Sequence, residues 1–223
     1  GNGGAAGNGA DRNLPRSFFV TAEGELRRDL PPSELKRVIT DQNGELWIDI
    51  DVGNRHQVAL LEKVCGFHPL SVEDVLNPNS RVKLEEYPGY LFMIIRGVRF
   101  FRETEDPYDL ETFNINFFLG ANYLITVHGG QTPAIADVAD RVERNPDFLK
   151  RGAERLMHAV AHSAVDAYFP LLDEIDDFVD GLEKRVFVQF DRTALRDIFD
   201  VKRLVLTLRR HLSPQREVFS ILT

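Results

Sequence analysis

Cysteine is all but missing from this chain: Cys65 is the only one among 223 residues. One thiol makes no intrachain disulfide and no cysteine-based zinc centre, and it suits a reducing compartment. Long apolar runs are missing as well. The longest, Leu91 to Ile95, falls far short of the ~20 residues that span a bilayer as a helix, and no basic-then-apolar leader opens the chain. The expectation is a soluble polypeptide. Basic residues are in deficit, 27 Lys and Arg against 35 Asp and Glu, for a net charge of -8. An acidic surface repels phosphate backbones and attracts cations, so no nucleic-acid partner is expected. No initiating Met is present, and the first ten residues hold five glycines. Residues 1–13 are read as a flexible tail and set aside from the fold.

What is present supports a core, with 43% hydrophobic and 28% charged residues. Strand patterns run over 18–20, 46–50 (entered through Asn43-Gly44), 90–98, 114–119 and 123–128. The segment 90–98 is apolar along most of its length, as in a strand covered on both faces. The last two flank Gly120-Ala121-Asn122 and predict an antiparallel hairpin. Helical spacing is found over 32–39, 55–66 and 133–144, the last with Thr132 as cap and Pro133 at the first helical position. The fold class expected is α/β (α+β): a mixed β-sheet sandwiched by helices over 14–150, with Trp47, Phe92, Ile94, Phe117 and Ile125 buried.

From 151 to 223 a helical region is expected. Tyr168, Leu171, Ile175, Phe178, Leu182 and Val186 mark one amphipathic helix, with Pro170 at its start or at a kink. Leu195, Ile198, Val201, Val205, Leu208 and Leu212 mark a second, antiparallel to it. Ser213-Pro214 predicts a break, and a third helix opens at Gln215. No stop signal precedes Thr223, so this helix reads as cut short.

Asp173, Asp176, Asp177 and Asp180 fall on one stripe of the first helix, opposite its apolar stripe. Their like-charge pairs cost about 1–2 kcal/mol together. A solvated face accounts for them, and so does a surface for hard cations, which take carboxylate oxygens. The second helix inverts the sign, and flank pairing between the two helices explains this better than an anionic partner does. His158, His162 and Asp166 are spaced four apart on one helix, a weaker zinc alternative that lacks the glutamate of zinc peptidases. His56, His128 and His211 show no partner in the sequence. Residues 66–78 read as a short helix whose start is served by Ser71, Glu73 and Asp74, and which Asn77-Pro78 ends.

The segment HPLSVEDVLNPNSRVKLEEYPGYLFMIIRGV, residues 68–98, resembles the CorA family of magnesium channels in its N-terminal domain. Tyr168-Phe169 with Leu171-Leu172 and Ile175-Asp176-Asp177 resembles it again, as does Pro214 with Arg216-Glu217-Val218, where the family's stalk helix begins. Arg81-Val82 and Pro170 depart from the common pattern, and the family's Gly-Met-Asn and two membrane helices do not occur. The resemblance implies a helical hairpin followed by the start of the stalk helix. It further implies a cytosolic regulatory domain, pentameric in the intact channel, at the inner face of the cell membrane. Membrane contact would come only through C-terminal helices beyond this sequence. Mg²⁺, with Co²⁺, Ni²⁺ or Zn²⁺ as alternatives, would be sensed by inter-subunit carboxylates, here Glu73, Asp74, Asp176, Asp177 and Asp180. An enzyme is not expected. The readings beside it are a related zinc transporter and a metal-dependent hydrolase built on His68, Glu73 and Asp74.

Overall fold

A computed structural model describes residues 13–100, 110–189 and 192–222, so the glycine-rich tail expected over 1–13 lies almost wholly outside them. Seven strands form one sheet: β1 Arg16–Thr21, β2 Leu26–Arg28, β3 Gly44–Asp51, β4 Lys83–Tyr87, β5 Tyr90–Phe100, β6 Leu110–Leu119 and β7 Tyr123–His128. Their order is β2-β1-β3-β7-β6-β5-β4, and β3 and β7 pair in parallel while every other pairing is antiparallel. The expected hairpin is β6–β7, in register from Ile115↔His128 to Leu119↔Leu124. Two strands carry no apolar signal. Leu26–Arg28 and Lys83–Tyr87 form the two edges of the sheet, where charged residues serve because one side meets water.

Alternation places the two faces of the sheet in two cores. Leu46, Ile48, Phe92, Ile94, Phe118 and Ile125 pack with α1 (Pro32–Asp41), α2 (Arg55–Lys63) and α3 (Pro69–Leu76). Trp47, Met93, Ile95, Phe117 and Leu124 pack with α4 (Pro133–Arg144), α5 (Asp147–Lys150) and α6 (Ala153–Asp166). All five residues expected inside are fully buried. β5 is apolar along its length because Phe92 and Ile94 serve one core while Met93 and Ile95 serve the other.

The helical region differs from expectation in two respects. The α6 helix lies past residue 150 but belongs to the sheet layer, because Leu156, Met157, Val160 and Ala164 share the core of Trp47 and Phe117. The break at Ser213-Pro214 does not occur: α7 (Phe169–Gln189) is followed by α8 (Arg192–Leu222), one helix with Pro214 inside it. Pro214 supplies no N–H to the carbonyl four residues back. Gln215, buried one residue on, anchors this stretch of helix: its side-chain amide donates to the His211 carbonyl at 3.3 Å and its Oε1 accepts from the Arg96 N–H at 3.2 Å. The start of the third helix is therefore the C-terminal part of α8. The expected hairpin is α7–α8, closed over Leu171, Ile175, Leu182, Val201, Leu204 and Leu208.

Candidate functional site

The α3 helix carries the first carboxylates. Its start is set by His68, whose Nδ1 accepts from the Leu70 N–H at 3.2 Å, with Pro69 at the first helical position. The expected cap, Ser71, lies inside the helix, donating to the His68 carbonyl (2.8 Å) and bonding the Tyr90 hydroxyl (2.9 Å). Asn77 leaves the helix in extended geometry (φ -95°, ψ 107°) because Pro78 follows.

Within this frame Glu73 is exposed and Asp74 half-buried. Asp74 is engaged: Ser80 Oγ donates to Oδ1 at 3.1 Å, and the Lys83 ammonium sits on Oδ2. Lys83 also reaches Glu85 at 3.0 Å. Burial pulls the Lys83 pKa down, but the two carboxylates outweigh it and leave it raised. A charged lysine thus stands at one of the carboxylates expected to be a cation ligand. His68 is spent on its helix cap and Asp74 on Lys83, so the hydrolase trio is not assembled.

Asp173, Asp176, Asp177 and Asp180 are all exposed on α7, opposite the face that closes on α8. The pair across the hairpin runs opposite to the expected flank pairing: a base of α7, Arg185, meets an acid of α8, Asp197, 2.6 Å apart. His162 Nδ1 lies 3.0 Å from Asp166 Oδ2 at the surface of α6, while His158 is half-buried. Among the described residues, no three His, Cys, Asp or Glu side chains come together as a metal site. The donors are of the right type for a hard cation, and one chain leaves them on separate elements.

A polar network that the sequence reading missed lies at the C-terminal ends of the parallel pair β3–β7. Thr126 Oγ1 donates to Asp49 Oδ1 at 2.6 Å and accepts from the Trp47 indole at 3.0 Å. His128 Nε2 lies 3.0 Å from Asp49 Oδ1, and its Nδ1 3.0 Å from Thr132 Oγ1. Burial lowers the His128 pKa, yet hydrogen bonding and charge from Asp49 prevail and hold it raised. The signal available was the register, which sets Asp49 beside Thr126. Without knowing that β3 and β7 pair in parallel, that signal cannot be read.

The family model described as CorA-like Mg²⁺ transporter protein matches residues 42–223. A putative metal ion transporter of Bacillus subtilis (strain 168), YfjQ, is 32% identical over 199 residues, covering 89% of this chain and 59% of its own length. The cobalt/magnesium transport protein CorA of Thermotoga maritima is 27% identical over 201 residues, covering 87% of this chain and 56% of its own. The complete structure of the CorA magnesium transporter from Methanocaldococcus jannaschii has the same fold, with a TM-score of 0.73 at 17% identity, covering 94% of this chain and 62% of that one. The chain spans little more than half of these two relatives, and the part it spans contains the sheet, the capped α3 and the hairpin described above. It belongs to the CorA-like Mg²⁺ transporter family, a family of metal ion transporters rather than enzymes.

Proposed function

We propose that this chain is the cytosolic regulatory part of a divalent-cation channel, that Mg²⁺ is its leading ligand, and that the sensing carboxylates are shared between copies. The observation that carries this reading is the placement of the donors. Glu73 and the α7 acids are exposed, Asp74 is held by a lysine, and no three come together among the described residues of one chain. Mg²⁺ gives up water reluctantly and needs several oxygens. A second copy set against α3 or α7 would supply them, in keeping with a homo-oligomer, pentameric in the intact channel. A bound cation then screens carboxylates across the interface and favours the closed arrangement, and its loss leaves repulsion that loosens it. The exchange of Lys83 for a divalent ion at Asp74 is the local event.

The test is the pair Glu73→Gln and Asp74→Asn in the full-length channel. Removing two charged ligands should raise the Mg²⁺ concentration that protects the protein from protease about tenfold or more, while the protein remains folded. Unchanged protection in the double variant would remove α3 from the sensor. The zinc reading rests on His158, His162 and Asp166, of which the structure pairs only His162 with Asp166 among the described contacts.

A further inference from the structure

We propose that Arg96 is a positioning residue that ties the α3–β4 segment to the root of the α7–α8 hairpin, with Gln215 and Tyr168 as its counterparts on the helices. Arg96 lies on β5 two residues past Ile94, and Ile94 is the partner of Lys83, the first residue of the edge strand β4. On that side, among the described residues, the strand pairing stops short of Arg96. Gln215 Oε1 accepts from the Arg96 N–H at 3.2 Å, and the Tyr168 hydroxyl donates to the Arg96 carbonyl at 2.9 Å. The Gln215 amide, 3.4 Å from the Tyr168 hydroxyl, joins the two. Both side chains are 2% exposed, so they stand in for a strand where water does not reach.

The side chain of the same residue points to the other partner. Its Nη1 donates to the Pro78 carbonyl at 3.0 Å and its Nη2 to the Ser80 carbonyl at 3.3 Å. Asn114 Nδ2 lies 3.4 Å from the Ser80 carbonyl and 3.5 Å from that of Pro78. Ser80 in turn holds Asp74, and Asp74 holds Lys83. Arg96 is thus bonded at one end to the loop that follows α3 and at the other to Tyr168, just before α7, and to Gln215 beside the proline of α8. A shift of the 78–80 carbonyls moves a guanidinium whose own backbone carries the hairpin. The fork of an arginine suits this task, because it fixes direction as well as distance, which the single ammonium of a lysine does not.

The inference draws on the proposed cation sensing only for what moves the loop; the junction itself is tested without any cation. Amide exchange of the 223-residue chain is followed by NMR in chelator, with Asp74→Asn as the perturbation. In the otherwise unchanged protein, exchange of the Arg96 amide and of α8 amides 211–213 and 215–219 should rise roughly five- to tenfold, as expected for loosening one hydrogen bond. Amides of α4 should hold their rates. In a Gln215→Leu background, and separately in Arg96→Lys, the α8 response to Asp74→Asn should vanish. A denaturant midpoint for each variant separates local from global opening. The proposal is overturned if α8 does not respond, if α4 responds equally, or if the response survives Gln215→Leu. A Mg²⁺ titration of the same amides forms a separate arm. A working junction with no Mg²⁺ effect would leave Arg96 standing and count against the sensor.

Discussion

At the residue scale, two histidines of opposite sign contribute to the pH dependence of stability. His128 gains Asp49 and feels Asp51, which outweigh its burial and raise its pKa above the ordinary 6.5. The folded state therefore holds its proton more tightly than the unfolded chain does. That stabilisation is fully present below about pH 6.5 and is lost as pH rises through the raised value. His211 is shifted the other way, by burial first and then by Arg96 and Arg210. Between its lowered value and about pH 6.5 the unfolded chain binds more protons, so stability falls as pH drops. Thermal melts across about pH 5 to 9 should show a maximum near the ordinary histidine value. His128→Gln should flatten the alkaline limb and His211→Gln the acid limb. If each substitution lowered the whole curve by the same amount, neither titration would be at work.

At the scale of elements, β5 is held by what lies across it. Gly97 faces the Phe113 ring of β6, and a Cβ there would come within 2.5 Å of Cζ. Gly97→Ala should cost about 1–3 kcal/mol, the usual penalty for overpacking, read as a lower urea midpoint with an unchanged slope. A neutral outcome would mean that Phe113 is free to swing aside. The elements legible in the sequence were those whose neighbours impose a period, such as β5, buried on both faces, and α7, with its stripe from Leu171 to Leu182. β2 and β4 were illegible because edge strands need no apolar pattern. Pro214 was read by its usual effect on a helix, and what holds α8 at that point, the contacts of Gln215 with Arg96 of β5 and with Tyr168, is tertiary and lies outside local propensity. The same limit hid the candidate site. The acids on α3 could be named, but that Asp74 is held by Lys83, nine residues away, depends on how the loop 77–82 leads into β4 and on the pairing of β4 with β5 that fixes that lysine's place.

At the scale of the whole molecule, the chain should bind Mg²⁺ weakly and associate weakly when alone. Each copy brings a net charge of -8, and copies that meet must first overcome that repulsion. Attraction is available: Phe187 is 84% exposed and Val188 79%, with Phe199 and Leu206 also outward on α8. A stable interface needs at least about 1,000 Å² of well-matched surface. Cation binding would have to supply the difference, yet Asp74 is already neutralised by Lys83, and no three donors meet among the described residues. An ion that prefers its own water gains little from Glu73 or from one stripe of α7. Calorimetric titration should therefore give a Mg²⁺ dissociation constant no tighter than about 1 mM, the range of loosely organised carboxylate sites. Sedimentation velocity should show mainly monomer in chelator, with a shift toward larger species only as Mg²⁺ reaches that range. The Asp176→Asn, Asp180→Asn double variant separates two causes. If the acids of α7 bind the ion, the shift disappears; if they only repel, association strengthens without Mg²⁺. A stable oligomer in chelator would show that the chain associates without a cation, and micromolar binding would show that it holds a complete Mg²⁺ site; either outcome overturns the expectation.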